Sequence, residues 1–324
     1  MGVKVGIIGC GRWGSIHLKT LAQLKENGLV SEIHACDLIP SKELEFKDII
    51  DSFTTDYVQL LKTSGVDILS IVTPAETHTE IALFAFDYVK TVFVEKPLSL
   101  SEKGALQILS KTQKAGGNLL VGHILRFHQS LNKAMELISE GLIGELQRID
   151  FKRITTRMPP ENPDVFDSLA IHGLDTACFC FGETEPQRMS IDRVRFNGQE
   201  RAINARISLE FPGMKEASIE VGWSGEKEER VIVFVGTKGQ IDVNTKDSSN
   251  LSISVDQSHY YVEEDEFTLP LTLEMKYLID MHNRLVKTKI YPNQGAILRC
   301  MKWIDKVKTQ IWTRQRRETS HKSN

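Results

Sequence analysis

Up to residue 121 the hydrophobic positions alternate between two periods. Short apolar runs occupy 3–8, 33–36, 68–72, 91–94 and 119–121. Between them, segments 14–25, 44–50, 56–62, 78–86 and 101–114 carry apolar residues at helical spacing. Strands separated by helices pair in parallel through right-handed crossovers, which predicts a doubly wound α/β sheet with helices on both faces. Gly116-Gly117 closes the last of these helices. The first domain is therefore expected to span 1–122.

The pattern then changes. A helix at 130–140 ends in Gly141, a strand follows at 146–155, and a loop with Pro159, Pro160 and Pro163 leads into a helix at 166–181. From 187 to 268 alternating runs such as 205–211, 217–222, 230–235 and 251–255 read as successive strands. The turns Phe211-Pro212-Gly213 and Gly236-Thr237-Lys238-Gly239 join them in hairpin fashion, which predicts a mainly antiparallel sheet. Helices at 273–285 and 295–313 close the chain. This gives a second, α+β domain over 123–313, whose last helix is free to pack back on the first. The basic segment 314–324, with Arg314, Arg316 and Arg317, is expected to be a disordered solvated end.

Composition narrows the function classes. The 324 residues are 41% hydrophobic and 26% charged, which suits an ordinary globular chain with a core large enough to need no staples. A net charge of −3 argues against nucleic-acid binding. The five cysteines form no CxxC pair, so neither a disulfide framework nor a metal site is expected, and a reducing, cytoplasmic setting fits. No run approaches the roughly 20 apolar residues that span a bilayer.

The chemistry begins at Gly9-Cys10-Gly11-Arg12-Trp13-Gly14, between the first strand and its helix. Such a motif bends the chain, admits a pyrophosphate to the backbone and packs the helix tightly on the strand. An acidic residue ending the second strand should hold the adenosine ribose, and Asp37 stands there. A carboxylate repels a 2′-phosphate, so NAD is favoured over NADP, with Lys42 near enough in sequence to keep the alternative open.

Two further segments carry a family resemblance. Ile71-Val72-Thr73-Pro74 with His78, and Val92-Phe93-Val94-Glu95-Lys96-Pro97-Leu98, resemble the signature of the Gfo/Idh/MocA oxidoreductases, as do 122–127 and His172-Gly173-Leu174-Asp175. The likeness implies a substrate domain built on an open-faced sheet whose outer side makes homodimer or homotetramer contacts. It places Thr73, Pro74, His78, Glu95 and Lys96 beside the cofactor, although Pro74 reads equally well as a loop former. Lys96 follows a strand's carboxyl end, where open α/β sheets put ligands, so its ammonium can bond the reacting oxygen. A surface ion pair with Glu95 is the plainer reading of that lysine. A histidine's ordinary pKa lies near neutrality, so His172 suits a proton acceptor. Asp175 lies three residues on, along the same helix face.

The chain departs from the family where an aspartate precedes that histidine by one turn. Here the position is Ser168, and Asp167 is one residue off, a turn of about 100° on a helix. Either the helix start is irregular and Asp167 substitutes, or Lys96 and His172 act alone. Arg126 matches a position near the substrate, and an ion pair at the domain junction is as good a reading. Arg157 and Asn162 precede the helix as substrate candidates. The resemblance implies a small sugar or nucleotide-sugar substrate oxidised at a ring hydroxyl, and C3 of UDP-N-acetylglucosamine fits the 122–128 stretch and the compact length. Inositol or free-hexose oxidation, an imine, enone or tetrapyrrole reductase, and a non-catalytic dinucleotide-binding regulator are the alternatives.

Overall fold

The structure is a computed structural model and describes residues 2–160, 164–246, 250–263 and 267–322. Its elements run β1 (Val3–Ile8), α1 (Arg12–Glu26), β2 (Val30–Cys36), α2 (Lys42–Phe46), β3 (Ser52–Thr54), α3 (Tyr57–Thr63), β4 (Ile68–Ile71), α4 (Ala75–Ala85), β5 (Thr91–Val94), α5 (Glu102–Lys114) and β6 (Asn118–Val121). After them come α6 (Gln129–Ser139), β7 (Leu146–Ile154), a π-helical turn (Phe166–Ala170), α7 (Ile171–Cys180), β8 (Arg188–Phe196), β9 (Ala202–Phe211), β10 (Lys215–Gly222) and β11 (Glu229–Gly236). The chain closes with β12 (Gly239–Asn244), β13 (Asn250–Val255), β14 (Ser258–Glu263), α8 (Pro270–His282), β15 (Ile290–Tyr291) and α9 (Gln294–Lys322). It divides into two compact units, 1–124 with 269–301, and 125–268 with 302–324.

The first unit is the doubly wound domain. Its sheet runs β15-β6-β5-β4-β1-β2-β3, with every neighbouring pair parallel. Strand order reverses between β1 and β4, and ligands of such sheets bind outside the strands' carboxyl ends at that point. The central strands β4 and β5 are buried throughout, as strands covered on both faces must be. Leu69, Ile71, Val92, Val94 and Val121 meet Ile81, Ala85, Ile108 and Leu109 of the helices in one core.

The domain boundary differs from the expected one. The segment 269–301 belongs to the first unit, where α8 packs on α1, β5 and β6, and Ile297 and Met301 join the core. Asn118 Nδ2 ties β6 to α8 by donating to the Met281 carbonyl oxygen at 3.3 Å. Strands β3 and β15, three and two residues long, are too short to show a period of their own. Helix α9 continues past the expected end at Thr313 to Lys322, so the backbone of the basic segment is helical up to that residue.

The second unit is an eight-stranded sheet ordered β14-β13-β12-β11-β7-β10-β9-β8. Only the β7–β10 pair is parallel, so the sheet is mainly antiparallel as its hairpins predict. One face carries buried Ile149, Phe151, Ile207, Leu209, Ile219, Val221, Ile232, Phe234, Ile241 and Ile253. Helix α7 lies on that face. A Cβ at Gly173 would stand 2.7 Å from both Phe151 and Ile219, so only glycine permits this approach. Among the described residues, no helix is long and apolar enough to cross a membrane.

Candidate functional site

In the first unit the glycine turn is shaped by backbone contacts. Gly9 has φ +96°, and a Cβ there would lie 2.6 Å from the Val72 carbonyl oxygen. A Cβ at Gly14 would lie 2.0 Å from the Gly9 carbonyl oxygen. Gly11 differs, because nothing lies within 4 Å of its Cβ position. The protein itself places no demand for glycine there, which is what a surface reserved for a ligand requires. Helix α1 also begins with no side-chain cap and no acidic residue in its first turn, unlike α3 and α5, capped by Asp56 and Ser101. Unsatisfied N–H groups at a helix N-terminus are a ready seat for a pyrophosphate. These features fit a dinucleotide, held by the turn 9–14 and the α1 terminus.

Asp37 stands at the end of β2 as expected. Its Oδ2 accepts from Cys10 N at 2.7 Å and its Oδ1 from Ile39 N at 2.9 Å, which fixes the carboxylate beside the turn. Burial, with the charge of Asp37, pushes the Cys10 thiol up to about 12, so it stays protonated. Lys42 pairs with Glu45 at 2.5 Å.

The turn after β5 is anchored from within. Glu95 accepts from Trp13 Nε1, from His17 Nε2 at 3.0 Å and from Lys96 N at 3.1 Å. Burial opposes its ionisation, but the bonds from His17 and Trp13 and the charges of His17 and Lys96 outweigh it and hold its pKa below the usual range. Glu95 therefore faces α1 and braces the turn that presents Lys96. Arg12 is exposed, and Trp13, 37% exposed, lies across the helix start. His78 is buried between the carbonyl oxygens of Pro97 and Thr73, each 2.9 Å from a ring nitrogen. Burial lowers its pKa against the opposing pull of those two carbonyl contacts. Pro74 stands at the N-cap of α4, and Thr73 Oγ1 accepts from Thr77 Oγ1 at 2.7 Å.

In the second unit the start of the His172 helix is irregular. Ile171 N donates to the Phe166 carbonyl oxygen five residues back, closing a π-turn over Phe166–Ala170. Asp164 starts it, accepting from Phe166 N at 2.9 Å and Asp167 N at 3.2 Å. Asp167, five residues before His172, lies within this π-turn. Asp167 is buried and ion-paired with Lys308 of α9. His172 is buried and Ser168 half-buried.

Arg126 and Asp175 are placed otherwise than expected of substrate contacts. Arg126 Nε and Nη2 donate to the two Asp175 oxygens at 2.8 and 2.7 Å, Nη1 reaches Glu183 at 2.6 Å, and the guanidinium lies 4.7 Å from the Phe179 ring centre. The arginine side chain is 1% exposed. Burial disfavours its charge, yet Asp175 and Glu183 outweigh that and raise its pKa. The guanidinium is thus paired with two carboxylates of its own unit. Arg157 is half-buried, its Nε donating to Thr155 Oγ1 at 3.1 Å. Asn162 lies outside the described residues.

Sequence reasoning missed His17, Lys308 and Glu183. Only His17 had a local signal, standing one turn after Trp13 on the same helix face.

The model of the oxidoreductase family with an NAD-binding Rossmann fold matches residues 3–123, and that of the GFO/IDH/MocA C-terminal domain matches 131–242. The chain belongs to the Gfo/Idh/MocA oxidoreductase family, and its first unit is that family's NAD-binding Rossmann domain. Among curated relatives, the myo-inositol 2-dehydrogenase of Thermotoga maritima is 29% identical over 191 residues, covering 56% of this chain and 55% of that protein. The chain thus spans about half the length of that relative. A UDP-N-acetylglucosamine 3-dehydrogenase from Acidithiobacillus ferrooxidans superposes with a TM-score of 0.80 at 19% identity, covering 95% of this chain and 97% of that one. A levoglucosan dehydrogenase solved with NADH and levoglucosan gives 0.80 at 15% identity over 94% and 96%. At these identities the structures establish the fold.

Proposed function

We propose that the chain is a dehydrogenase transferring a hydride between a ring secondary alcohol of a sugar or nucleotide-sugar and NAD, with C3 of UDP-N-acetylglucosamine as the leading substrate. The observation that carries this reading is the presentation of Lys96 on a braced turn at the carboxyl end of β5, beside an uncapped glycine-turn helix. NAD, when bound, accepts the hydride. Lys96 donates a hydrogen bond to the substrate oxygen, and His172 takes the hydroxyl proton. In this reading Asp167, which lies in the π-turn, orients His172, and Lys308 offsets its charge. NAD is preferred over NADP because Asp37 faces the turn and Lys42 is engaged by Glu45. The buried free cysteines suit a reducing cytoplasm.

The outer face of the second unit's sheet is the surface on which two or four copies associate, which light scattering would test against a monomer mass. A second reading, inositol or free-hexose oxidation, is favoured by the name of the Thermotoga maritima relative. One screen separates these readings: NAD reduction followed by absorbance with UDP-N-acetylglucosamine, hexoses and inositols. NAD binding without reduction by any of them would sink the dehydrogenase reading in favour of a regulator.

A further inference from the structure

Strands β7 and β11 run antiparallel in the second unit, and Arg153 stands directly opposite Arg230. The same register pairs Phe151 with Ile232 and Ile149 with Phe234, so the two arginines share the buried face on which α7 lies. Like charges directly opposite across a sheet repel each other. Arg230 is compensated, since its Nε and Nη2 both donate to Glu228 Oε1, at 2.8 and 2.5 Å. Arg153 has no such pair: among the described residues no carboxylate lies within ion-pair distance of it, and Glu228 acts on it only through its charge. Burial first, and the charge of Arg230 second, bring its pKa down to about 10.

A third guanidinium completes the corner. Arg157 is joined to Thr155, which lies two residues beyond Arg153 and interacts with Glu228 as well. Glu228 is itself held by Thr156 N at 3.2 Å. Glu228, already taking two bonds from Arg230, acts on Arg153 through its charge and reaches Arg157 only by way of Thr155. The corner also adjoins the His172 helix. Gly173 lies against Phe151, and Arg153 is two residues further along β7, roughly 7 Å on.

We propose that Arg153, with Arg230 and Arg157, forms an oxyanion-binding subsite for the substrate, taking the phosphates of a nucleotide-sugar or the carboxylate of a sugar acid. This rests on the reading that the His172 helix lines the substrate site. Planar guanidinium forks match both groups through paired charge-assisted bonds, and an anion bound there offsets the repulsion between Arg153 and Arg230. The subsite selects charged sugars over neutral polyols.

The test is calorimetry on the full chain saturated with NAD, with UDP, inorganic pyrophosphate, glucuronate and myo-inositol as probes. UDP and pyrophosphate, or glucuronate, should bind more weakly as salt rises, and which of them binds identifies the source of the anion. Arg153→Met should weaken that binding about 10- to 100-fold, Arg153→Lys should recover part of it, and NAD affinity should stay the same. Without ligand, Arg153→Met should melt higher by about 2–4 °C, because it keeps the packed stem and removes the repelling charge. Binding of none of the three anions at millimolar concentration, or equal binding by Arg153→Met, overturns the subsite. The readout needs no hydride transfer, so the two readings fail separately. Arginine-dependent binding without NAD reduction on any sugar removes only the dehydrogenase reading. Turnover of neutral polyols with no anion binding removes only the subsite.

Discussion

The glycine turn of the first unit and the His172-helix corner of the second are built by opposite means. At the turn, backbone does the holding: the α1 N-terminus, the space over Gly11, and Asp37 locked by two backbone donors. At the corner, side chains from distant parts of the chain do it, with Lys308 reaching Asp167 across 141 residues and Arg230 opposing Arg153. A backbone cradle tolerates no added atom and little variation, whereas a side-chain corner can change its substrate with a few substitutions. The same scaffold can therefore keep one cofactor while its substrates diversify.

The largest effects should come from the turn. Gly14→Ala drives a methyl into the Gly9 carbonyl oxygen and should cost about 3 kcal/mol of stability, with NAD binding reduced beyond detection. Gly11→Ala meets no protein atom, so its stability should stay within about 0.5 kcal/mol of the parent while NADH fluorescence titration shows affinity lost tenfold or more. Equal destabilisation by both would break the distinction between a turn shaped by the protein and a surface kept for the ligand.

Lys96→Ala comes next. It should lower kcat about 10²- to 10⁴-fold while NAD affinity changes less than about threefold. Matching losses in both would mean that Lys96, like Glu95, only braces the turn.

These contrasts also explain what could be read from the chain alone. The turn, Asp37 and Lys96 were legible because each is fixed by distance from a strand end, and strands of four or more buried residues announce themselves. The π-turn was not, since a five-residue closure at Phe166–Ala170 leaves the hydrophobic period almost unchanged. Arg126 was ambiguous because Glu183, the partner that completes its pairing, is 57 residues away. Helix α8 looked like part of the second domain by sequence order, yet its buried face is spent on β5 and β6.

The Asp167–Lys308 pair sharpens the other side of the comparison. Lys308 is only 24% exposed at its side chain, so Lys308→Met leaves a buried carboxylate uncompensated and should cost about 1–3 kcal/mol. Losing the positive charge favours a protonated His172, so the acid limb of the kcat/KM profile should move to higher pH, and Lys308→Arg should restore it. An unmoved limb would show the pair to be structural alone.

The smallest effect should come from Glu274, one of several buried groups of the first unit with unsatisfied polar atoms. It lies wholly buried on α8, and neither carboxylate oxygen has a hydrogen-bond partner among the described residues. Burial, reinforced by the negative charge of Glu95, raises its pKa well above the ordinary value, so the folded protein binds a proton that the unfolded chain releases. Stability from this group is then fully present below about pH 4.3, the unfolded value, and declines as pH rises toward the folded one. Glu274→Gln removes that dependence. It should raise the melting temperature at pH 7 by a few degrees, for a gain of about 1–3 kcal/mol, and leave it nearly unchanged at pH 4. The comparison of melting curves at the two pH values is the measurement, and a gain of the same size at both would mean that packing, not protonation, separates the two side chains.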